Sequence, residues 1–148
     1  MNILADTCFW ISLCDPTEHD HADVVAIMEK IMGDQTHKIL VPHPVLYETL
    51  CSDMVKKPKQ VLLLSQYFRQ VVKVSDSEYV EAAYNLVEQQ ADMGRGTASM
   101  VDIAIMLMAD DTKNNVKAIL TRNGRDFAVF CQKRGIPMVD SLAVLEAI

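Results

Sequence analysis

Four acidic residues stand beside apolar residues in this chain. Asp6 ends the apolar run 3–5, and Asp102 lies inside the apolar stretch ASMVDIAIMLMA; the full set is Asp6, Glu48, Asp102 and Asp126. An ionised carboxylate in apolar surroundings is disfavoured, and neighbouring carboxylates raise one another's pKa. A divalent cation would resolve this conflict, since Mg²⁺ and Mn²⁺ prefer hard oxygen ligands. Such a site could activate water against a phosphodiester.

Each acid also has a simpler structural interpretation. Asp6 could cap the helix that follows it, Glu48 could be an exposed helix residue, and Asp126 could be a solvated acid at a helix start. Asp102 is harder to explain in this way, because no Arg or Lys lies within one helical turn of it in the sequence. The metal-site hypothesis therefore depends on whether the fold brings the four acids together.

Hydrophobic patterning predicts strands and helices in alternation. Strands are predicted at 2–5, 38–41, 71–74, 116–120 and 137–139. Helices are predicted at 7–13, 16–31 (capped by Asp15, with Pro16 first), 44–55, 58–70, 76–92 (a Ser75–Glu78 capping box), 98–111, 124–133 and after a cap at Asp140, with a loop at 93–97. This alternation indicates βαβ units and a parallel sheet covered on both faces.

In such sheets the working site lies beyond the carboxyl ends of the strands. Asp6 ends the first predicted strand, and Asp126 follows the strand at 116–120, so both are expected at the same edge. Glu48 falls in the first half of the helix after the second strand, and Asp102 falls in a helix that is apolar on nearly every face.

Composition limits the classes of protein that the sequence fits. The 148 residues, half of them apolar, suit a single domain spanning 1–148. A net charge of −6 is unlike that of proteins held to nucleic acid by bulk electrostatics, although Lys56, Lys57 and Lys59 form a local basic group. No membrane span or secretory signal is recognisable. Four dispersed cysteines indicate a reduced, cytoplasmic protein.

Four segments together resemble the motifs of a known family. ILADTCFWI, VLYETL, SMVDIAI and ILTRNGRDF occur in the order and at the spacing of the PIN domain, over essentially the whole chain. The size of the chain is most similar to that of the VapC-like toxins of toxin–antitoxin pairs. This resemblance implies an α/β fold, a three-layer α/β/α sandwich with a central parallel sheet, and a metal-dependent endoribonuclease that cleaves RNA.

The resemblance also assigns expected roles to individual residues. It makes Asp6, Glu48, Asp102 and Asp126 the catalytic and metal-binding acids, Thr7, Thr121 and Asn123 their hydrogen-bonding supports, and Arg122 and Arg125 contacts to the RNA backbone. Two positions depart from the family pattern. Cys8 stands where Asn or Ser is usual, and Asn123 stands where some members carry a further acid.

The resemblance further implies Mg²⁺ or Mn²⁺ as cofactor, a small antitoxin protein as partner and a homodimer. Two alternatives stay open at this point. One is a PIN-like RNA- or protein-binding module with weak or no catalysis, which the departures at Cys8 and Asn123 motivate. The other is an α/β enzyme with Asp6 as phospho-acceptor, which the absence of an acid at position 8 disfavours.

Overall fold

A parallel sheet of five strands runs through the structure, a computed structural model that describes residues 1–94 and 98–148. The strand order is β3-β2-β1-β4-β5, and every neighbouring pair is parallel. The strands are β1 (Asn2–Ala5), β2 (Lys38–Pro42), β3 (Val72–Val74), β4 (Val116–Leu120) and β5 (Met138–Val139). The predicted parallel sheet is therefore confirmed.

Helices connect all of these strands. In the described ranges they are α1 (Thr7–Cys14), α2 (His21–Gly33), α3 (His43–Leu50), α4 (Pro58–Phe68), α5 (Val80–Asp92), α6 (Met100–Asp110) and α7 (Gly124–Arg134), and a further helix, α8 (Leu142–Glu146), follows β5. They contact one another in two groups, α1 with α2, α3 and α4, and α6 with α5 and α7. The two groups and the sheet form the predicted α/β/α sandwich. Of the predicted loop 93–97, residues 95–97 lie outside the described residues.

The central strands are apolar because both of their faces are covered. Ile3, Leu4 and Ala5 of β1 are at most 1% exposed, as are residues 118–120 of β4. Strands buried on both faces carry continuous apolar runs rather than an alternating pattern. This is why the strands beside Asp6 were recognisable from the sequence.

The strand order reverses at the pair β1 and β4. From β1 the chain proceeds to β2 and β3 on one side, and then crosses to β4 and β5 on the other. The pairing continues past the strands, because the Asp6 backbone N–H donates to the Leu120 carbonyl over 2.9 Å. A reversal of this kind opens a crevice at the carboxyl ends of the two strands. Asp6 stands at the edge of that crevice.

The predicted start of the second helix was wrong. Asp15 does not cap a helix at Pro16 but follows the last residue of α1, and α2 begins at His21. The Asp15 carboxylate instead accepts from the Thr17 hydroxyl over 2.7 Å and from Lys57 Nζ over 2.5 Å. Asp15 thus holds a local turn at Thr17 and pairs with Lys57, which is distant in sequence, instead of starting a helix.

Other helix limits also differ from the predictions. The helix predicted at 44–55 ends at Leu50, and Ser52 caps a short 3₁₀ turn over Asp53–Lys56. The Ser75–Glu78 capping box does not form, because the Ser75 hydroxyl pairs with Ser77 and α5 begins at Val80. In the closing helix the N-cap position is Ser141 rather than Asp140.

Two further features bear on the composition of the chain. Within residues 1–94 and 98–148, no helix has both the length and the apolar character needed to cross a membrane. All four cysteines carry free thiols.

Candidate active site

A cavity of about 510 Å³ opens in the crevice beyond β1 and β4. Three of the four predicted acids line it, namely Asp6, Glu48 and Asp102. Thr7, Cys8, Ser99 and Asn123 also line it. The fold thus brings together acids that are up to 96 positions apart in the chain, from position 6 to position 102.

Asp6 is held in place by three neutral donors. Its side chain accepts from the Thr7 backbone N–H over 2.6 Å, from the Cys8 thiol over 2.9 Å and from the Thr121 hydroxyl over 2.8 Å. Asp6 is only 4% exposed. Burial raises the pKa of Asp6 above its usual value, and the charge of Asp102 raises it further, while the three hydrogen bonds oppose the shift. Because its side chain accepts from the Thr7 N–H, Asp6 also caps α1, as the simpler interpretation predicted.

Cys8 occupies a hydrogen-bonding position. Its thiol donates to Asp6, lies 3.4 Å from the Thr121 hydroxyl and accepts from the Arg122 backbone N–H over 3.1 Å. Burial and the neighbouring Asp6 carboxylate raise the pKa of the thiol to about 12. Cys8 is thus a neutral donor at pH 7, which is the function that a hydroxyl or amide would perform at this position.

Thr7 links the first acid to the second. It follows Asp6 at the start of α1, and its hydroxyl donates to Glu48 Oε2 across the gap between α1 and α3. Glu48 itself is exposed at the mouth of the cavity. Helix α3 begins at His43, directly after β2, with Pro44 in its first turn. It carries Glu48 to the cavity.

Asp102 is held by the residue at the start of its own helix. The Asp102 carboxylate accepts from the Ser99 backbone N–H over 3.0 Å, and the Ser99 hydroxyl accepts from the Asp102 backbone N–H over 3.0 Å. This reciprocal capping box begins α6. Ser99 is not among the site residues predicted from the sequence, although the spacing of Ser99 and Asp102 is the signature of such a box.

The structure does not bring Asp126 into the cavity. Its carboxylate accepts from Asn123 Nδ2 over 2.7 Å and from Arg125 Nε over 3.1 Å, and it lines a neighbouring groove with Phe130. The hydrogen bonds from Arg125 and Asn123 lower the pKa of Asp126. Asn123, which supports Asp126, is the residue from this segment that lines the cavity.

The two arginines expected to contact RNA differ in their surroundings. Arg122 forms an ion pair with the buried Asp20 over 2.5 Å and also donates to the Asp140 carbonyl. Its side chain therefore connects the end of β4 to the turn before α2 and to the segment before α8. The side chain of Arg125 is 88% exposed and pairs with Asp126.

The donor set of the cavity suits a hard divalent cation. Its three acids offer oxygen ligands, and Asp6 receives only neutral hydrogen bonds, so a cation would compensate its charge. The three carboxylates are not tightly clustered. Among the described residues, the one trio of ligand atoms within 4.8 Å of one another is that of Glu18, His19 and Asp20, where Asp20 is paired with Arg122. Mg²⁺ tolerates wider spacing, because it retains several waters.

No protein-family model matches the sequence, and no curated protein sequence matches it. Solved structures do match the fold. VapC20 of Mycobacterium tuberculosis, a toxin that cleaves the sarcin–ricin loop, has a TM-score of 0.66 at 16% identity, over 86% of this chain and 93% of that one. VapBC2 of Rickettsia felis, solved bound to a DNA fragment from its promoter, has a TM-score of 0.63 at 15% identity, over 93% and 97%.

A third structure, FitAcB of Neisseria gonorrhoeae, has a TM-score of 0.57 at 18% identity, over 92% of this chain and 95% of that one. At these identities the likeness concerns the fold, and it extends over nearly the full length of each pair of chains. The order of the strands, the position of the acids at the β1–β4 crevice and these matches agree with one another. The chain therefore has the fold of a VapC-like PIN domain.

Proposed function

We propose that the chain is a divalent-metal-dependent endoribonuclease that acts as the toxin of a toxin–antitoxin pair. The observation that carries the proposal is the convergence of Asp6, Glu48 and Asp102 on one cavity at the strand-order reversal. Structural likeness to a toxin that cleaves the sarcin–ricin loop supports the choice of RNA as substrate. The proposed cofactor is Mg²⁺ or Mn²⁺.

Asp6, Glu48 and Asp102 would hold the cation. When bound, it would neutralise charge on the phosphodiester and acidify an attacking water. The Thr7 hydroxyl holds the Glu48 carboxylate by a hydrogen bond, and the Ser99 N–H holds the Asp102 carboxylate. Thr121 and Cys8 orient Asp6 without bringing a positive charge that would compete with the cation. These contacts pre-organise the acids before substrate arrives.

The reaction is a hydrolysis. The oxygen of water forms a bond to phosphorus, the bond from phosphorus to the 3′-oxygen breaks, and the 3′-oxygen takes a proton. The products are a 5′-phosphate and a 3′-hydroxyl. The substrate would be a single strand or loop, because the attacked phosphate must enter the cavity.

Partners and location follow from the same proposal. A small antitoxin would cover the cavity, and the structural likeness to VapBC2 and FitAcB supports such a partner. A homodimer and a cytoplasmic location complete the proposal. Co-purification of the chain with the product of an adjacent small reading frame tests for this partner. The wild-type chain is compared with variants that lack the catalytic acids.

The test of the proposed activity is the Asp102→Asn variant. Asn can still accept from the Ser99 N–H, so the capping box is retained while a carboxylate is lost. We expect cleavage of an RNA oligonucleotide with Mg²⁺ or Mn²⁺ to fall by at least about 100-fold. Asp110→Asn, at the other end of the same helix, is the control and should cleave as the wild type does. Unchanged cleavage by Asp102→Asn would refute the proposal.

A further inference from the structure

Asn123 lies between the candidate cavity and Asp126. It is one of the residues that line the cavity with Asp6 and Asp102, and its side-chain Nδ2 donates to Asp126 Oδ2 over 2.7 Å. A carboxylate only accepts hydrogen bonds, so this contact fixes which end of the amide meets Asp126. The amide oxygen Oδ1 is then the end of the side chain that does not contact Asp126.

Asp126 is engaged elsewhere through both of its oxygens. Oδ1 accepts from Arg125 Nε over 3.1 Å, and Oδ2 accepts from Asn123 and from Arg125 Nη2, the latter over 3.4 Å. The carboxylate lines the groove that also contains Val129 and Phe130, rather than the cavity. Both oxygens of the Asp126 carboxylate therefore already have hydrogen-bond donors.

The backbone of Asn123 is tied to the first acid. Its N–H donates to the Thr121 hydroxyl over 3.0 Å, and that hydroxyl donates to Asp6 Oδ2 over 2.8 Å. Thr121 is fully buried, so the connection is shielded from water. Two contacts therefore fix Asn123, one through its backbone toward Asp6 and one through its side chain toward Asp126.

We propose that Asn123 Oδ1 is the fourth oxygen of the site and binds the divalent cation, and that Asp126 is a positioning residue that acts only through Asn123. The inference rests on the proposed function. Amide carbonyl oxygens are ordinary ligands of hard cations. The site then carries three carboxylates and one neutral oxygen, and Asp126 determines which end of the Asn123 amide the cation meets.

Calorimetric titration of the full chain with Mn²⁺ tests this assignment. Asn123→Ala is expected to weaken Mn²⁺ binding by about 10- to 100-fold, and Asp126→Ala by about tenfold. If Asp126 acts through Asn123, the double variant binds as weakly as Asn123→Ala alone, within about twofold. Circular dichroism on each variant verifies that it is folded.

Two charge variants separate positioning from direct binding. Asp126→Asn retains an oxygen that accepts from Asn123, so its Mn²⁺ affinity should stay within about twofold of the wild type. The exchange variant Asn123→Asp with Asp126→Asn reverses donor and acceptor and places a carboxylate toward the cavity. It should bind Mn²⁺ at least as tightly as the wild type does.

Matched controls come from outside the cavity. Asn85→Ala removes an exposed amide on α5, and Asp110→Ala removes a carboxylate that pairs with Arg134 over 2.7 Å. Both should bind Mn²⁺ as the wild type does. The folded exchange variant keeps the proposal testable if Asn123→Ala does not fold.

The outcomes distinguish the two proposals. A wild-type chain that binds no Mn²⁺ overturns the proposed function and this inference together. A wild-type chain that binds Mn²⁺, with Asn123→Ala unchanged or with additive losses in the double variant, overturns this inference alone. A tenfold or larger loss on Asp126→Asn would likewise assign the cation to Asp126 directly and contradict the inference.

Discussion

Asp6 is the residue at which burial and charge conflict most directly. It is 4% exposed, its hydrogen-bond donors are neutral, and burial raises its pKa. When the pKa of an acid is higher in the folded than in the unfolded protein, the folded protein is more stable with that acid protonated than with it ionised. The ionised form of Asp6 therefore destabilises the metal-free protein, as is expected if the proposed cation site is present.

Asp6→Asn should stabilise the metal-free protein. Asn is as good an N-cap as Asp and can accept from the Thr7 N–H, so α1 keeps its first contact. The Asn Nδ2 can donate to the Thr121 hydroxyl oxygen and the Cys8 sulfur, which then act as acceptors instead of donors. We expect the free energy of unfolding in urea, measured with chelator at pH 7, to rise by about 1 kcal/mol. The variant should lose RNA cleavage at the same time.

The pH dependence gives the sign of this effect. The destabilisation by ionised Asp6 appears as pH rises through its folded pKa, which lies above 3.8. The gain from Asp6→Asn should therefore shrink as pH falls toward 4. Asp110→Asn, on an exposed ion pair, should show no comparable gain. An Asp6→Asn protein less stable than the wild type at pH 7 would contradict this account.

At the scale of the element, two helix starts differ in a way that can be measured. Ser99 caps α6 through its side chain, whereas Ser141 holds the N-cap position of α8 without a side-chain hydrogen bond. Ser99→Ala should lower the free energy of unfolding by about 1 kcal/mol, and Ser141→Ala should change it by less than about 0.5 kcal/mol. Chemical denaturation of both variants makes the comparison. Equal losses would mean that the Ser99 box does not stabilise α6.

The elements also show what the sequence could predict. Strands β1 and β4 were predicted correctly because burial on both faces makes them apolar throughout. Helix starts were predicted less well, since the partner of a capping residue can come from a distant segment. Asp15 has a local capping pattern, but Lys57 takes its carboxylate. No local pattern contains that information.

At the scale of the whole molecule, Arg122 connects three segments. The side chain of Asp20 is 3% exposed, and Arg122 provides its ion pair while also contacting the Asp140 carbonyl. Arg122→Ala would leave a buried carboxylate without a cation, and we expect unfolding free energy to fall by about 3 kcal/mol. Adding Asp20→Asn should recover part of this loss. Arg125→Ala, on an exposed side chain, should change stability by less than about 0.5 kcal/mol.

Urea unfolding of the wild type, Arg122→Ala, the Arg122→Ala/Asp20→Asn double variant and Arg125→Ala measures these differences. A stability of Arg122→Ala equal to that of Arg125→Ala would refute the structural role of Arg122. RNA affinity measured on the same proteins tests the contact with RNA that the family resemblance implies for both arginines. Arg125→Ala tests it most cleanly, because this variant is expected to keep the stability of the wild type.

The site as a whole was predictable only in part. Asp6, Glu48 and Asp102 could be placed because each follows from an element whose type and direction the sequence indicates. Asp126 could not, because the direction of a side chain in the first turn of α7 depends on its partners, here Arg125 and Asn123. Ser99 was identifiable from its spacing to Asp102 but became meaningful only once the cavity was known.

The most direct test of the central claim is the metal dependence of RNA cleavage by the purified wild-type chain. A 5′-labelled single-stranded RNA is incubated with chelator, and then with Mg²⁺ or Mn²⁺ restored, and the ends of the products are analysed. We expect no cleavage with chelator, cleavage on restoring either cation, and products with 5′-phosphate and 3′-hydroxyl ends. Cleavage that continues in chelator, or none with either cation, would contradict it.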